Sequence, residues 1–167
     1  YVVGNYITGE GLDECISEGD IVVHLVSTSV PNSSNQDISK DAIDNIIPSI
    51  RLFELCVKNK VERIIYSSSG GTVYGVPEYT PIDERHKTDP TSAYGVHKVA
   101  VEKYLALMNE LHGIKVNIMR ISNPYGPAQK PFRGQGVIST FLASAFMDKT
   151  VEIWGDGESI RDYIYIE

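Results

Sequence analysis

Positive charge is in short supply in this sequence. Lys and Arg number 15 against 22 Asp and Glu, a net charge of −7 over 167 residues. A nucleic-acid backbone calls for a basic face, so this balance argues against DNA or RNA as a partner. An anionic small molecule held by one or two local arginines stays compatible with it. Long apolar runs are also missing. Stretches such as DIVVHLVS (20–27) fall far short of the ~20 residues that cross a bilayer, so no membrane partner is expected. No charged-then-apolar leader opens the chain, which gives no sign of secretion. Cysteine is limited to Cys15 and Cys56, each alone in a helix-like context. Both are expected to be core or near-core thiols rather than a disulfide or a metal site, and a reducing cytoplasm is the natural compartment. What is present is an ordinary globular mixture, 42% hydrophobic and 22% charged, without internal repeats or low-complexity tracts.

Apolar runs alternate with helical spacing. Residues 20–26, 61–69 and 114–122 read as strands, and 150–154 (TVEIW) as a short fourth. Helical spacing covers 37–59, 93–112 and 137–147, with Ser92 as the N-cap of the second helix. Pro48 is expected to kink the first helix or shift its start. This alternation predicts an α/β fold, a doubly wound parallel sheet with right-handed crossovers. Ligands of such sheets lie beyond the carboxyl ends of the strands. Those ends here are polar and distinctive: HLVSTSVP (24–31), SSSGGTVYG (67–75) and RISNPYGP (120–127). Lone His24 reads as a packed strand-end residue rather than a ligand.

SAYGVHK (92–98) then places Tyr94 and Lys98 on one face of a helix's first turns. A phenol ionises near pH 10, too high for a base at neutrality. An ammonium one turn away favours the phenolate and draws it toward the working range. A phenolate so tuned takes the proton of a substrate hydroxyl while the adjacent carbon loses hydride to a nicotinamide. SSSGGT supplies the hydroxyl that would complete the geometry. His97, inside the motif, reads as a bystander pointing off the Tyr–Lys face. Trp154 reads as packing, with base stacking as the alternative.

Taken together, DIVVHLV, IIYSSSGGTVYG, SAYGVHK, RISNPYGP and GDGESIRDYIYIE resemble, in order and spacing, the extended short-chain dehydrogenase/reductase superfamily. The likeness is greatest to its NAD-dependent nucleotide-sugar epimerases and dehydratases, the group typified by UDP-glucose 4-epimerases. The resemblance implies that Tyr94 is the catalytic base and that Lys98 binds the nicotinamide ribose and lowers the Tyr94 pKa. Counting from the strand start places the hydroxyl partner at Ser69, whereas counting back from VYG (73–75) lands on Gly70. Ser69 is taken, with Thr72 as a second hydroxyl and Ser68 as reserve. Ser69 and Thr72 would also touch substrate. On the cofactor side the resemblance implies Leu25, Val26 and Ser27 by backbone contact, Asn45 from the helix, Ser67 and Ser68 from the strand end, and Pro124 against the nicotinamide. It implies Asn123 for substrate and Arg161 for the nucleotide diphosphate, where a guanidinium suits a bidentate contact.

The family's glycine-rich phosphate loop has no counterpart here; GNYITGEG (4–11) resembles the later segment that borders the adenine, with Asn5 at the usual acidic position. The chain therefore reads as an internal piece of a longer protein, incomplete at both ends and expected to bind dinucleotide poorly by itself. Residues 1–130 would be a partial NAD-binding Rossmann domain and 131–167 would lead into a smaller substrate lobe. Dehydratases of the group carry Asp-Glu before VYG, where this chain has Gly71 and Thr72, so 4-epimerisation of a nucleotide sugar through transient oxidation at C4 is the expected reaction. A dehydratase, an NADP-dependent carbonyl reductase and a non-catalytic dinucleotide-binding regulator are the alternatives. NADP is not excluded as cofactor. The resemblance also implies a homodimer, with Val101, Leu105 and Met108 on the Tyr94 helix available for its face.

Overall fold

Alternating strand and helix patterns produce a parallel sheet. Its strands are β1 (Ile21–His24), β2 (Arg63–Ser67) and β3 (Lys115–Met119), adjacent in that order, with Ile21 opposite Arg63 and Arg63 opposite Lys115. The first crossover carries α1 (Pro31–Ser34) and α2 (Ile38–Lys58), the second α3 (Ala93–His112). This βαβαβ run is the Rossmann-like α/β arrangement, and it brings the three carboxyl ends to one edge. The computed structural model describes residues 1–132, 135–153 and 155–167. It divides into two compact units, Tyr1–Arg120 and Ile121–Glu167. The second unit contains α4 (Val137–Phe146) and a parallel pair, β4 (Asn123–Tyr125) and β5 (Tyr163–Tyr165).

One face of the three-stranded sheet is covered by α2 and α3. Leu52, Phe53 and Cys56 from α2 meet Ile64 and Tyr66 from β2 and Val101, Leu105 and Met108 from α3, closed off by Ile16, Val61 and Ile114. Burial of each large side chain contributes about 1.5–3 kcal/mol. Val101, Leu105 and Met108 are thus core residues and not a subunit face. What α3 shows to solvent is Val96, Tyr104, Leu107 and Leu111. On the opposite face of the sheet Ile21 and Val23 stay 54% and 52% exposed, so the Val/Ile runs are covered on one side only.

One of the two alternatives for Pro48 falls away, and three further expectations need correction. Pro48 does not shift the start of α2, which Asp37 caps by accepting from Lys40 N at 2.9 Å; the helix continues through a buried Pro48. Carbonyls of the turn before it gain side-chain partners: Ser49 Oγ donates to Asn45 O at 2.6 Å, and Asn45 Nδ2 donates to Asp41 O at 2.8 Å. Cys15 is exposed, because residues 11–15 form turns rather than a helix, and only Cys56 is a core thiol, pushed up to about 12 by burial. Residues 150–153 form no strand, and Ile153 is 60% exposed; the pairing of that region falls instead to Tyr163–Tyr165. Trp154 lies outside the described residues. Finally, the strand over 61–69 is shorter, Arg63–Ser67, which leaves Ser68 and Ser69 in the loop that follows.

His24 ends β1 and is buried, as its packed reading requires. Its Nε2 lies 3.1 Å from Ser49 Oγ and 3.3 Å from Tyr6 OH, with the Phe53 and Tyr66 rings around it. Burial, aided by the Lys98 charge, pushes its pKa down to about 4. The unfolded chain therefore binds a proton below about pH 6.5 that the folded chain does not, and stability falls with pH from 6.5 toward 4. The expected loss is about 2 kcal/mol on going from about pH 7.5 to about pH 5. Urea unfolding of wild type and His24→Asn at the two pH values measures it, since the variant should lose that part of the slope.

Candidate active site

Two caps set where α3 starts and hence where Tyr94 and Lys98 sit. Ser92 Oγ accepts from Gly95 N at 3.2 Å, and Asn35 Oδ1 accepts from Ala93 N at 2.8 Å. Tyr94 and Lys98 then face the end of β2. Lys98 is 3% exposed, donates from Nζ to Ser67 O at 2.9 Å, and lies 4.9 Å from the centroid of the Tyr66 ring and 5.4 Å from that of Tyr94. Burial brings the Lys98 ammonium down to about 8. Tyr94 moves the other way. Burial raises its pKa above the ordinary phenol value, and the Asp41 carboxylate adds to the rise. Lys98 alone thus does not pull the phenol toward neutrality in this chain, because desolvation of the phenolate outweighs one ammonium.

The loop after β2 reaches α3 because residue 95 is glycine. A Cβ there would lie 2.6 Å from Thr72 O and 2.7 Å from Pro90 Cβ. Gly95→Ala is expected to push the loop away and to cost about 1–3 kcal/mol, with turnover falling more than stability explains; thermal unfolding and kcat measured on one preparation test this. Of the hydroxyls in SSSGGT, Ser68 is spoken for: its Oγ bonds the buried Glu102 carboxylate and its N–H bonds Met119 O. It therefore drops out as the reserve partner of Tyr94. Ser67 contributes its carbonyl to Lys98. Ser69 is half-buried, and its carbonyl accepts from Thr72 N and Val73 N. Thr72 Oγ1 is buried and, among the described residues, has no hydrogen-bond partner. A buried hydroxyl without a partner is costly unless a ligand supplies one, which marks Thr72 as strongly as Ser69.

At the end of β1, Leu25 and Val26 are exposed, and Ser27 and Thr28 are tied to α2 through Asn45, whose Oδ1 accepts from Thr28 N at 2.9 Å. Asn45 is 3% exposed and is no solvated helix residue. Asn123, Pro124 and Arg161 belong to the second unit. There Asn123 Nδ2 donates to Asp162 O at 2.8 Å beside the β4–β5 ladder, Pro124 stands opposite Ile164, and Arg161 Nη1 donates to Ile160 O at 2.7 Å.

Residues 3–167 match the sequence profile of the NAD dependent epimerase/dehydratase family. The chain belongs to that family. Among the relatives of this family member is a dTDP-4-dehydro-6-deoxyglucose reductase of Escherichia coli, 42% identical over 158 residues, 93% of this chain and 49% of that protein. The crystal structure of a UDP-glucose 4-epimerase of Thermotoga maritima with UDP-glucose superposes with a TM-score of 0.84 at 36% identity, covering 87% of this chain and 48% of that one. A Thermus thermophilus UDP-glucose 4-epimerase in complex with NAD gives a TM-score of 0.86 at 30% identity, over 96% of this chain and 54% of that one. The chain spans about half the length of the curated relatives it matches. Family and Rossmann-like fold are therefore those that the motifs imply.

The residues present fit one end of an epimerase-family dinucleotide site. Lys98, the exposed residues Leu25 and Val26 and the Thr72 Oγ1, which has no partner among the described residues, suit a nicotinamide ribose and the sugar beside it. Four residues with a clear place around this site carried no role in the sequence reading: Asp41, His97, Glu102 and Arg120. His97 is 2% exposed and bonded to Asp41, so it is a packed residue between α3 and α2. Its place inside SAYGVHK was the available signal. Among the described residues no helix is long and apolar enough to cross a membrane, and no group of His, Cys, Asp or Glu is placed to hold a metal ion.

Proposed function

We propose that the protein containing this chain interconverts nucleotide-diphosphate sugars epimeric at C4, as a UDP-glucose 4-epimerase does. The observation that carries the reading is Tyr94 at the strand ends, with Lys98 Nζ 5.4 Å from its ring centroid and the Thr72 loop held against the same helix turn. Bound NAD would supply a reversible hydride acceptor at C4. The Tyr94 phenolate takes the proton of the C4 hydroxyl and returns it once the keto-sugar has turned over. Thr72 or Ser69 would donate to the same oxygen, Lys98 would support the phenolate and the nicotinamide ribose, and Leu25, Val26, Ser27, Asn45 and Ser67 would hold the cofactor; Pro124 takes its nicotinamide role from the family resemblance. Asn123 and Arg161 bind the nucleotide sugar. In this reading residues 1–130 serve the cofactor and 131–167 lead toward the substrate lobe. Gly71 and Thr72 offer no acid–base pair for elimination of water, which disfavours a dehydratase.

A second reading, reduction of a 4-keto nucleotide sugar, is favoured by the 42% identity to the E. coli reductase. Incubating the intact protein with UDP-glucose, UDP-N-acetylglucosamine and dTDP-4-keto-6-deoxyglucose separates them. Epimer formation without net change in NADH supports the epimerase. Stoichiometric oxidation of NAD(P)H with the keto-sugar, and no epimer from the others, replaces it with the reductase.

The same reading includes a homodimer in a reducing, cytoplasmic compartment, to which the free Cys15 and Cys56 are suited. The exposed apolar positions of adjacent helices, Ile43 and Ile47 on α2 and Val96, Leu107 and Leu111 on α3, form the face it would use. Leu107→Glu with Leu111→Glu is expected to halve the mass seen by sedimentation at low micromolar concentration.

A further inference from the structure

A buried network ties the Tyr94 helix to α2 behind the candidate site. His97 Nδ1 lies 2.7 Å from Asp41 Oδ2, across the α2–α3 contact. Asp41 is 5% exposed, its other carboxylate oxygen takes the Ser29 hydroxyl, and its backbone carbonyl accepts from Asn45 Nδ2 at 2.8 Å. Three elements therefore meet on one carboxylate: the loop after β1, α2 and α3. The bonding order excludes a nucleophilic triad, because Ser29 is bonded to Asp41 and not to the imidazole. Facing a carboxylate, Nδ1 carries the proton, and that bond holds the ring in one tautomer and one rotation. Against this fixed ring rests the ring of Tyr94, edge to face, with centroids 5.0 Å apart and planes at 69°.

We propose that His97, held by Asp41, is the positioning residue for Tyr94: it fixes the rotation and depth of the phenol at the strand ends. This rests on the reading of Tyr94 as the base. The groups facing Tyr94 divide the work. Lys98, from the same helix, and Asp41, from α2, contribute charges of opposite sign, and Tyr66, from β2, lies beyond the Lys98 ammonium. His97 contributes the surface that the ring leans on, in the edge-to-face geometry that aromatic pairs favour. Loss of that surface lets the phenol turn, and a misplacement of about 1 Å costs on the order of 10²-fold in rate.

The test uses the intact protein with His97→Ala and Asp41→Asn. His97→Ala is expected to lower kcat by about 10- to 100-fold while the KM for the nucleotide sugar changes less than about threefold. Ionisation of Tyr94 is followed separately, as the near-ultraviolet phenolate absorbance missing from matched Tyr94→Phe variants. His97→Ala admits water to the ring, and Asp41→Asn removes a negative charge while keeping an acceptor for Nδ1–H. Both should move the Tyr94 midpoint to lower pH. A merely structural role would lower the melting temperature and leave that midpoint in place. Unchanged kcat and an unchanged midpoint in His97→Ala overturn the proposal. If that variant does not fold, unchanged kcat in Asp41→Asn, which loosens the hold on the imidazole, overturns it instead, because loss of the Asp41 charge moves the midpoint whatever His97 does. Failure of the base reading looks different: Tyr94→Phe would keep turnover while the midpoint still responds to His97.

Discussion

Tyr94→Phe in the intact protein is expected to lower kcat for nucleotide-sugar epimerisation by about 10²–10⁴-fold, the range over which a positioned acid–base group acts. Substrate affinity should change little, because the phenol ring stays and only its oxygen is lost. The size of the effect follows from the surroundings. Burial and the Asp41 carboxylate hold the phenol above its ordinary range, and Phe leaves no oxygen at that place to take the proton. Lys98, the nearest cation, is engaged with Ser67 O and is kept near 8 by burial. Lys98→Met should therefore reproduce part of the loss and move the kcat profile toward higher pH, since removal of the ammonium further disfavours the phenolate. Turnover of Tyr94→Phe within tenfold of wild type would remove Tyr94 from the mechanism. Thr72→Val provides the companion measurement, because it deletes the partnerless hydroxyl at nearly constant volume.

Much of this site is legible in the sequence, for reasons visible residue by residue. Helix α3 runs from Ala93 to His112 as the spacing predicts, because Ser92 caps it and Gly113, in the left-handed conformation with φ at 70°, ends it. That fixes Tyr94 and Lys98 on one face without knowledge of the rest of the fold. Asn45 is singled out only by the family resemblance, since the spacing of α2 does not show that this polar residue is buried. Asp41, His97, Glu102 and Arg120 are harder to read because their roles exist only after folding: Asp41 and His97 are 56 positions apart, and Ser68 and Glu102 are 34 apart. A carboxylate destined for burial has the same one-letter code as one on a solvated face. The strands β4 and β5 escape for a different reason. Three residues hold too few alternations to show a period, and their pairing joins Asn123 to Tyr163 across the whole second unit. The dimer-face assignment failed through phase: Val101, Leu105 and Met108 form one stripe of α3 and Val96, Tyr104, Leu107 and Leu111 another, and both are apolar. Only packing on Phe53 and Ile64 says which stripe turns inward.

Arg120→Ala is expected to destabilise the protein by about 3–5 kcal/mol, the cost of leaving a buried carboxylate without its cation. Glu102 is 4% exposed, and Arg120 grips both its oxygens, with Nε at 3.1 and 3.2 Å and Nη2 at 2.7 Å. The same guanidinium donates to Tyr74 OH at 3.2 Å and lies over the Tyr74 ring, 5.1 Å from its centroid. Glu102 in turn receives the Ser68 hydroxyl, so the pair locks the start and the end of the SSSGGTVYG loop to α3 and to the end of β3. Without Arg120, Ser68 alone faces the carboxylate, and one neutral hydroxyl replaces little of the lost charge compensation. Glu102→Gln should cost less, because Arg120 is partly exposed and water reaches the released guanidinium. The double variant should then be more stable than the sum of the two single losses, as expected for side chains in direct contact. Denaturant unfolding of the four proteins measures each corner of this cycle. Additive losses, or an Arg120→Ala loss below about 1 kcal/mol, would show that the pair does not anchor the loop. If it does, kcat should fall in Arg120→Ala even well below its melting temperature, because the hydroxyls of Ser69 and Thr72 lie on the segment it releases.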